Sequence, residues 1–123
     1  MVFGNTTEYE GAIGTSIAKV FDVVVGSTGL PAKRLKQLGI KYQSSTTTSM
    51  SHAEYYPGAF FITTKLTFNP EDGTLYGAQC VGHEGVDKRI DQLAIIIKHK
   101  APSTTLSALS RLMLLHSRRP RIR

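Results

Sequence analysis

A chain of 123 residues can hold one hydrophobic core but not two. It contains no apolar run of about 18 residues to span a membrane. Its start, Met1-Val2-Phe3-Gly4-Asn5-Thr6, has neither the basic nor the apolar region of a secretion signal, and its single cysteine, Cys80, excludes an internal disulfide, so a reducing, cytoplasmic compartment is expected.

The net charge of +6 raises the question of nucleic acid, and its distribution answers it. Residues 1–100 hold ten Lys/Arg against nine Asp/Glu, and the excess comes from Arg111, Arg118, Arg119, Arg121 and Arg123. The basic character therefore belongs to one terminal segment, and the folded part is close to neutral.

Residues 1–14 are polar at first and then glycine-punctuated, and read as a linker or arm. Thr15 to Val25 is rich in β-branched residues and predicts one long strand, with Ile17, Phe21, Val23 and Val25 on one side and Gly26-Ser27-Thr28-Gly29 ending it. Pro31 to Leu38 predicts a short amphipathic helix with Leu35 and Leu38 inward and Gly39 as its stop. Ile40 to Met50 reads as a Ser/Thr-rich strand. After His52-Ala53-Glu54-Tyr55-Tyr56-Pro57-Gly58-Ala59 comes a strand from Phe60 to Phe68. Its period of two puts Phe60, Ile62, Thr64, Leu66 and Phe68 on one side and Phe61, Thr63, Lys65 and Thr67 on the other. Asn69-Pro70-Glu71-Asp72-Gly73 supplies turn chemistry, and Leu75 to Val81 returns antiparallel.

Gly82-His83-Glu84-Gly85 then opens a helix from Val86 to Lys98, in which Val86, Ile90, Leu93, Ala94 and Ile97 make one apolar face and Ile95 and Ile96 widen it. So broad a surface is either sandwiched in the core or buried against a second chain, and in a chain this short the second is expected. The order β-α-β-β-β-α predicts an α+β fold, a mainly antiparallel sheet with two to three helices packed on one face.

Few residues offer chemistry. Cys80 sits among small residues mid-strand and reads as a buried structural thiol. His52, His83, His99 and His116 have no metal-ligand spacing, and no Gly-x-Gly-x-x-Gly follows a strand. Asp87, Lys88, Arg89 and Asp91 ring the start of the last helix, where Asp87 suits the helix dipole. His52, Tyr55 and Tyr56 form the one constellation with functional promise, and on composition alone it is a loop anchored by aromatics.

Several motifs carry a resemblance: His52-Ala53-x-Tyr55-Tyr56-Pro57-Gly58-Ala59, Lys65-Leu66-x-Phe68-x-Pro70-Glu71-Asp72-Gly73, and Gly77-Ala78-Gln79-x-Val81-Gly82-x-x-Gly85-Val86-Asp87-Lys88-Arg89-Ile90-Asp91. Together with Gly14 to Asp22 and Thr28-Gly29-Leu30, they resemble the C-terminal dimerisation domain of the pyridine nucleotide–disulfide oxidoreductases, in the branch of NADH oxidases and coenzyme A–disulfide reductases. The resemblance implies a homodimer with Val86, Arg89, Ile90, Leu93, Ala94 and Ile97 at its interface. It also implies that His52, Tyr55 and Tyr56 approach the thiol–flavin site of the partner subunit. The family's redox cysteine lies in an FAD-binding domain that this sequence lacks, and Cys80 does not match it. FAD and NAD(P)H thus belong to the resembled full-length enzyme; this chain alone is expected to bind neither cofactor, no other small molecule and no metal, and to have no turnover.

The likeness covers roughly Glu8 to Lys100, with residues 15–100 as the dimerisation domain, and ends abruptly at Ala101. The family continues with a segment like T-V-Y-D-L and later A-Y-A-P-P-F-S-S-A-K-D-P. Reading the third base of each codon with the first two of the next permits that later run without a break from Leu112 onward. Residues 101–123 are accordingly expected to be an out-of-frame version of the family's own C-terminus, with Met113 where its tyrosine would stand. Two other readings remain at this level: a small scaffold protein that kept the fold without catalysis, and nucleic-acid binding through the basic tail, disfavoured because no aromatics interleave with the arginines.

Overall fold

The computed structural model describes residues 9, 11–51, 57–102 and 104–105. The elements are β1 (Ser16–Val20), β2 (Val23–Gly29), α1 (Ala32–Gln37), β3 (Gln43–Met50), β4 (Phe61–Phe68), β5 (Leu75–Gly82) and α2 (Val86–Lys98). The strands form one sheet in the order β1-β2-β5-β4-β3, with every neighbouring pair antiparallel. This is the expected α+β architecture.

The alternation in β4 sets the sheet's two faces. Ile62 and Thr64 are buried, and Phe61, one residue along, is 65% exposed. The β4–β5 turn forms as its residues require. Asn69 Oδ1 accepts from the Glu71 amide at 2.9 Å, Asp72 Oδ1 accepts from the Thr74 amide at 2.8 Å, and Gly73 takes φ +74°. The bond from the Thr74 amide holds the Asp72 carboxyl below its ordinary value.

Helix α2 lies across β2 and β5. Gly85 supplies the left-handed entry at φ +78°, while Asp87 in the first turn and Lys98 in the last match the helix dipole. Val86, Ile90, Leu93 and Ile96 pack with Ile62, Leu75, Ala78 and Cys80 as the core. Fully burying an aliphatic side chain contributes about 1.5–3 kcal/mol, so this layer carries much of the fold's stability. The close approach depends on Gly26, where a Cβ would stand 2.6 Å from Ile90 Cγ1.

Two local expectations are corrected. The long strand from Thr15 to Val25 is instead a hairpin: Val20 pairs with Val23 across a turn at Phe21-Asp22. Val23 and Val25 do share a face, but Ile17, paired with Gly26, lies on the other, and Phe21 is in the turn itself. Leu35 is fully buried, whereas Leu38 is 51% exposed, because α1 ends at Gln37 and Gly39 at φ +69° turns the chain away.

Candidate functional site

His52, Tyr55 and Tyr56 lie outside the described residues, but the base of their connection is inside them. Ser51 N–H donates to Phe60 O at 2.8 Å, and Phe60 N–H donates to Ser51 Oγ at 3.2 Å, so the two ends are tied together. Arg89 on α2 donates from Nη1 to Ser49 Oγ at 2.8 Å, fixing the end of β3 to the helix. The Phe60 and His83 rings stand 4.9 Å apart, and His83 Nδ1 is 2.8 Å from the Asp22 carbonyl oxygen, which can only accept. The β1–β2 turn, the β5–α2 junction and the root of the 52–59 connection therefore converge on one corner.

The interface expectation for α2 divides. Val86, Ile90 and Leu93 are at most 1% exposed and belong to this chain's own core, so they are not available to a partner. Ile97 packs against that core, and Arg89 and Ala94 are half-buried. Of the helix's large apolar residues, Ile95 alone is well exposed, at 60%. The breadth of the apolar surface was thus a correct sign of burial, but the burying surface is the chain's own sheet.

Cys80 is fully buried, as expected, and its Sγ donates to Thr64 Oγ1 at 3.5 Å. Burial pushes the thiol above its ordinary pKa, and the Thr64 hydroxyl and the Arg89 charge oppose this only in part. A thiol so placed is a poor nucleophile. Among the described residues, no cluster of His, Cys, Asp and Glu could hold a metal ion. No helix among them is long and apolar enough to cross a membrane.

The residues at the start of α2 do not suit a dinucleotide. A pyrophosphate wants a parallel strand, a glycine-rich turn and an uncharged helix start. Here β5 is antiparallel to both neighbours, and Glu84 and Asp87 place carboxylates at the helix N-terminus. A cavity of about 270 Å³ lies elsewhere, where the entry to α1 overhangs the sheet; Lys33, Lys65, Thr67 and Gln79 are among its lining. Its floor is tight, because Thr67 Oγ1 donates to Leu30 O and Gly77 O at 3.3 and 3.2 Å.

What sequence reasoning missed is the face of the sheet opposite α2. Val20, Val23, Val25, Phe61 and Val81 are 37–65% exposed there. The signal is present in the sequence as the second half of each alternation, Val23 with Val25 and Phe61 with Thr63.

Residues 15–114 match the family model described as the pyridine nucleotide-disulphide oxidoreductase dimerisation domain. The chain belongs to this family. The match runs beyond Lys100, past the last motif recognised in the sequence. Among solved structures, the domain is 49% identical to the reduced CoADR-RHD of Bacillus anthracis (TM-score 0.75, covering 76% of this chain and 17% of that one). It is 35% identical to a NAD-dependent persulfide reductase from A. fulgidus (TM-score 0.77, covering 80% and 18%). A coenzyme A disulfide reductase of Staphylococcus aureus (strain bovine RF122 / ET3-1) is 35% identical over 100 residues, which are 80% of this chain and 22% of the relative. The water-forming NADH oxidase of Lactobacillus brevis, at 22% identity and a TM-score of 0.74, shares the fold. This dimerisation domain thus spans about a fifth of the length of the oxidoreductases it matches.

Proposed function

We propose that the chain is the subunit-pairing module of an FAD-dependent, NAD(P)H-using oxidoreductase of the coenzyme A disulfide reductase or NADH oxidase type. The observation that carries this reading is the family match over residues 15–114, on a fold shared with a solved relative at 49% identity. In the intact enzyme two copies pair, and each brings His52, Tyr55 and Tyr56 toward the thiol–flavin site of the other. A phenol held there donates a hydrogen bond to a thiolate or a bound thiol, which favours the charged sulfur. The tie of Ser51 to Phe60 and of Ser49 to Arg89 supports this role, because it holds the root of the segment steady.

Cys80 is a buried thiol and the described residues form no pyrophosphate cradle, so the purified protein is expected to show no flavin absorbance and no NAD(P)H oxidation. The proposal for residues 101–123 is an out-of-frame version of the family's own C-terminus, against which stands the extension of the family match to residue 114. Resequencing the locus tests that: a one-base slip relative to close relatives is expected, and an intact frame contradicts it. The pairing role is tested by the mass of the chain in solution across a concentration series. A dimer at the upper end supports it, and a monomer throughout contradicts it.

A further inference from the structure

We propose that the cavity beside α1 is a binding site for a small phosphomonoester, a phosphate group on a short carbon stem. This is independent of the pairing role above, and it departs from the expectation from sequence that the chain takes no small molecule.

The ladder register builds one side of the site. Ser27, Gln79 and Lys65 stand opposite one another in a single row across β2, β5 and β4. Directly paired residues of an antiparallel sheet hold their Cβ atoms about 4.5–5.5 Å apart, so these three side chains rise from the sheet as near neighbours. The next row on the same face is Gly29, Gly77 and Thr67. Two of its three positions carry no side chain, and Leu30 crosses the sheet there: a Cβ on Gly77 would collide with the Leu30 backbone. The Leu30 amide donates to Tyr76 O at 2.8 Å, and Thr67 Oγ1 donates to Leu30 O at 3.3 Å. The crossing is the back wall of the cavity, and it leads into α1, which adds Lys33 to the lining.

The unspent chemistry of this lining is cationic. Lys33 and Lys65 come from different elements and border one volume of about 270 Å³, and no carboxylate is among the described residues around it. Among the described residues, neither lysine nor Gln79 has a hydrogen bond or an ion pair. The hydroxyls are already engaged: Thr67 Oγ1 donates to the Leu30 and Gly77 carbonyls, and Ser27 Oγ is paired with Ser16 Oγ at 3.0 Å. What remains to meet a ligand is two ammonium groups and a side-chain amide. Two cations around one cleft, with no counter-charge, raise the local potential for an anion and repel each other until one binds.

A phosphomonoester fits this set. It brings nearly two negative charges and three acceptor oxygens to donors carried by three elements, whereas a monocarboxylate neutralises only one lysine. The volume limits its size. It falls below the roughly 300–1,000 Å³ of pockets for drug-sized ligands, which suits a short stem and excludes a dinucleotide. Leu30, Pro31 and Ala32 supply an apolar edge for that stem.

NMR titration of the full chain with glycerol 3-phosphate, at about 0.15 M salt, tests this. The amides of Lys33, Lys65 and Gln79 should shift together and saturate, with a Kd of about 1 mM or tighter. Lys33→Met and Lys65→Met keep the stem and remove the charge, and each should weaken binding about tenfold. Both positions are exposed, so the fold should survive, as unchanged shifts elsewhere would show. Lys41→Met, exposed and outside the cavity, should leave the Kd within about twofold. Acetate should bind at least about tenfold more weakly. Shifts that never saturate, lysine variants that bind like the wild type, equal weakening by Lys41→Met, or acetate binding as tightly as glycerol 3-phosphate would each overturn the proposal.

Discussion

The two faces of this sheet are built from neighbouring residues and have opposite fates. Ile62, Cys80 and Gly26 point toward α2 and are covered within the chain; Phe61, Val81 and Val25, each one residue away, point outward. The first set is packed against Ile90 and Leu93 at fixed distances, so its energetics belong to folding. The second set is half-buried to exposed and contributes less to the isolated fold. One strand period therefore divides the same sequence between a covered face and an open one.

Substitutions on the two faces should separate sharply. Leu93→Ala or Ile90→Ala, each creating a cavity in the core, should cost about 2–5 kcal/mol in urea unfolding. Val81→Thr on the open face should change the stability of the monomer by less than about 0.5 kcal/mol. Equal losses would erase the distinction between the faces. Gly26→Ala should cost about 1–3 kcal/mol, because the new Cβ meets Ile90 at 2.6 Å and α2 must shift outward. An unchanged urea midpoint would mean that α2 is not held against β2.

The pH dependence sharpens the same contrast. The folded Cys80 thiol is raised above its ordinary value of 9.0 by burial. Its stabilising contribution is complete below pH 9.0 and is lost as pH rises through the higher folded value, because the unfolded chain ionises first. Cys80→Ala should remove this alkaline decline, as thermal unfolding at several pH values would show. The smallest effect is at the hairpin. Phe21→Asn should stabilise the monomer by a few tenths to about 1 kcal/mol, since Phe21 sits at φ +54° and Asn tolerates the left-handed turn. A lowered urea midpoint would contradict this.

Much of the covered face was legible in the sequence. The β4–turn–β5–α2 unit could be read because its alternation, its Asn-Pro-Glu-Asp-Gly turn and its helical period agree with one another. The β1–β2 hairpin was not, since Phe21-Asp22 lacks the glycine or asparagine that usually marks a two-residue turn, and the flanking valines read as one strand. The partner of α2 was also beyond reach. Periodicity reports that a face is buried, but only the fold shows that the missing side chain of Gly26 lets the helix settle on its own sheet. Of the candidate site, the sequence motifs reached the family and the 52–56 segment. The open face went unread because each of its residues looks like the ordinary outer half of a strand.

The most direct test of the account is thiol accessibility. Cys80 of the wild-type chain, and Val81→Cys in a Cys80→Ala background, would be labelled with a maleimide at low protein concentration. The account predicts that position 81 reacts freely, while the buried Cys80 reacts only as the chain unfolds. Equal rates at the two positions, or protection at position 81 with free access at Cys80, would contradict it and erase the division between the faces.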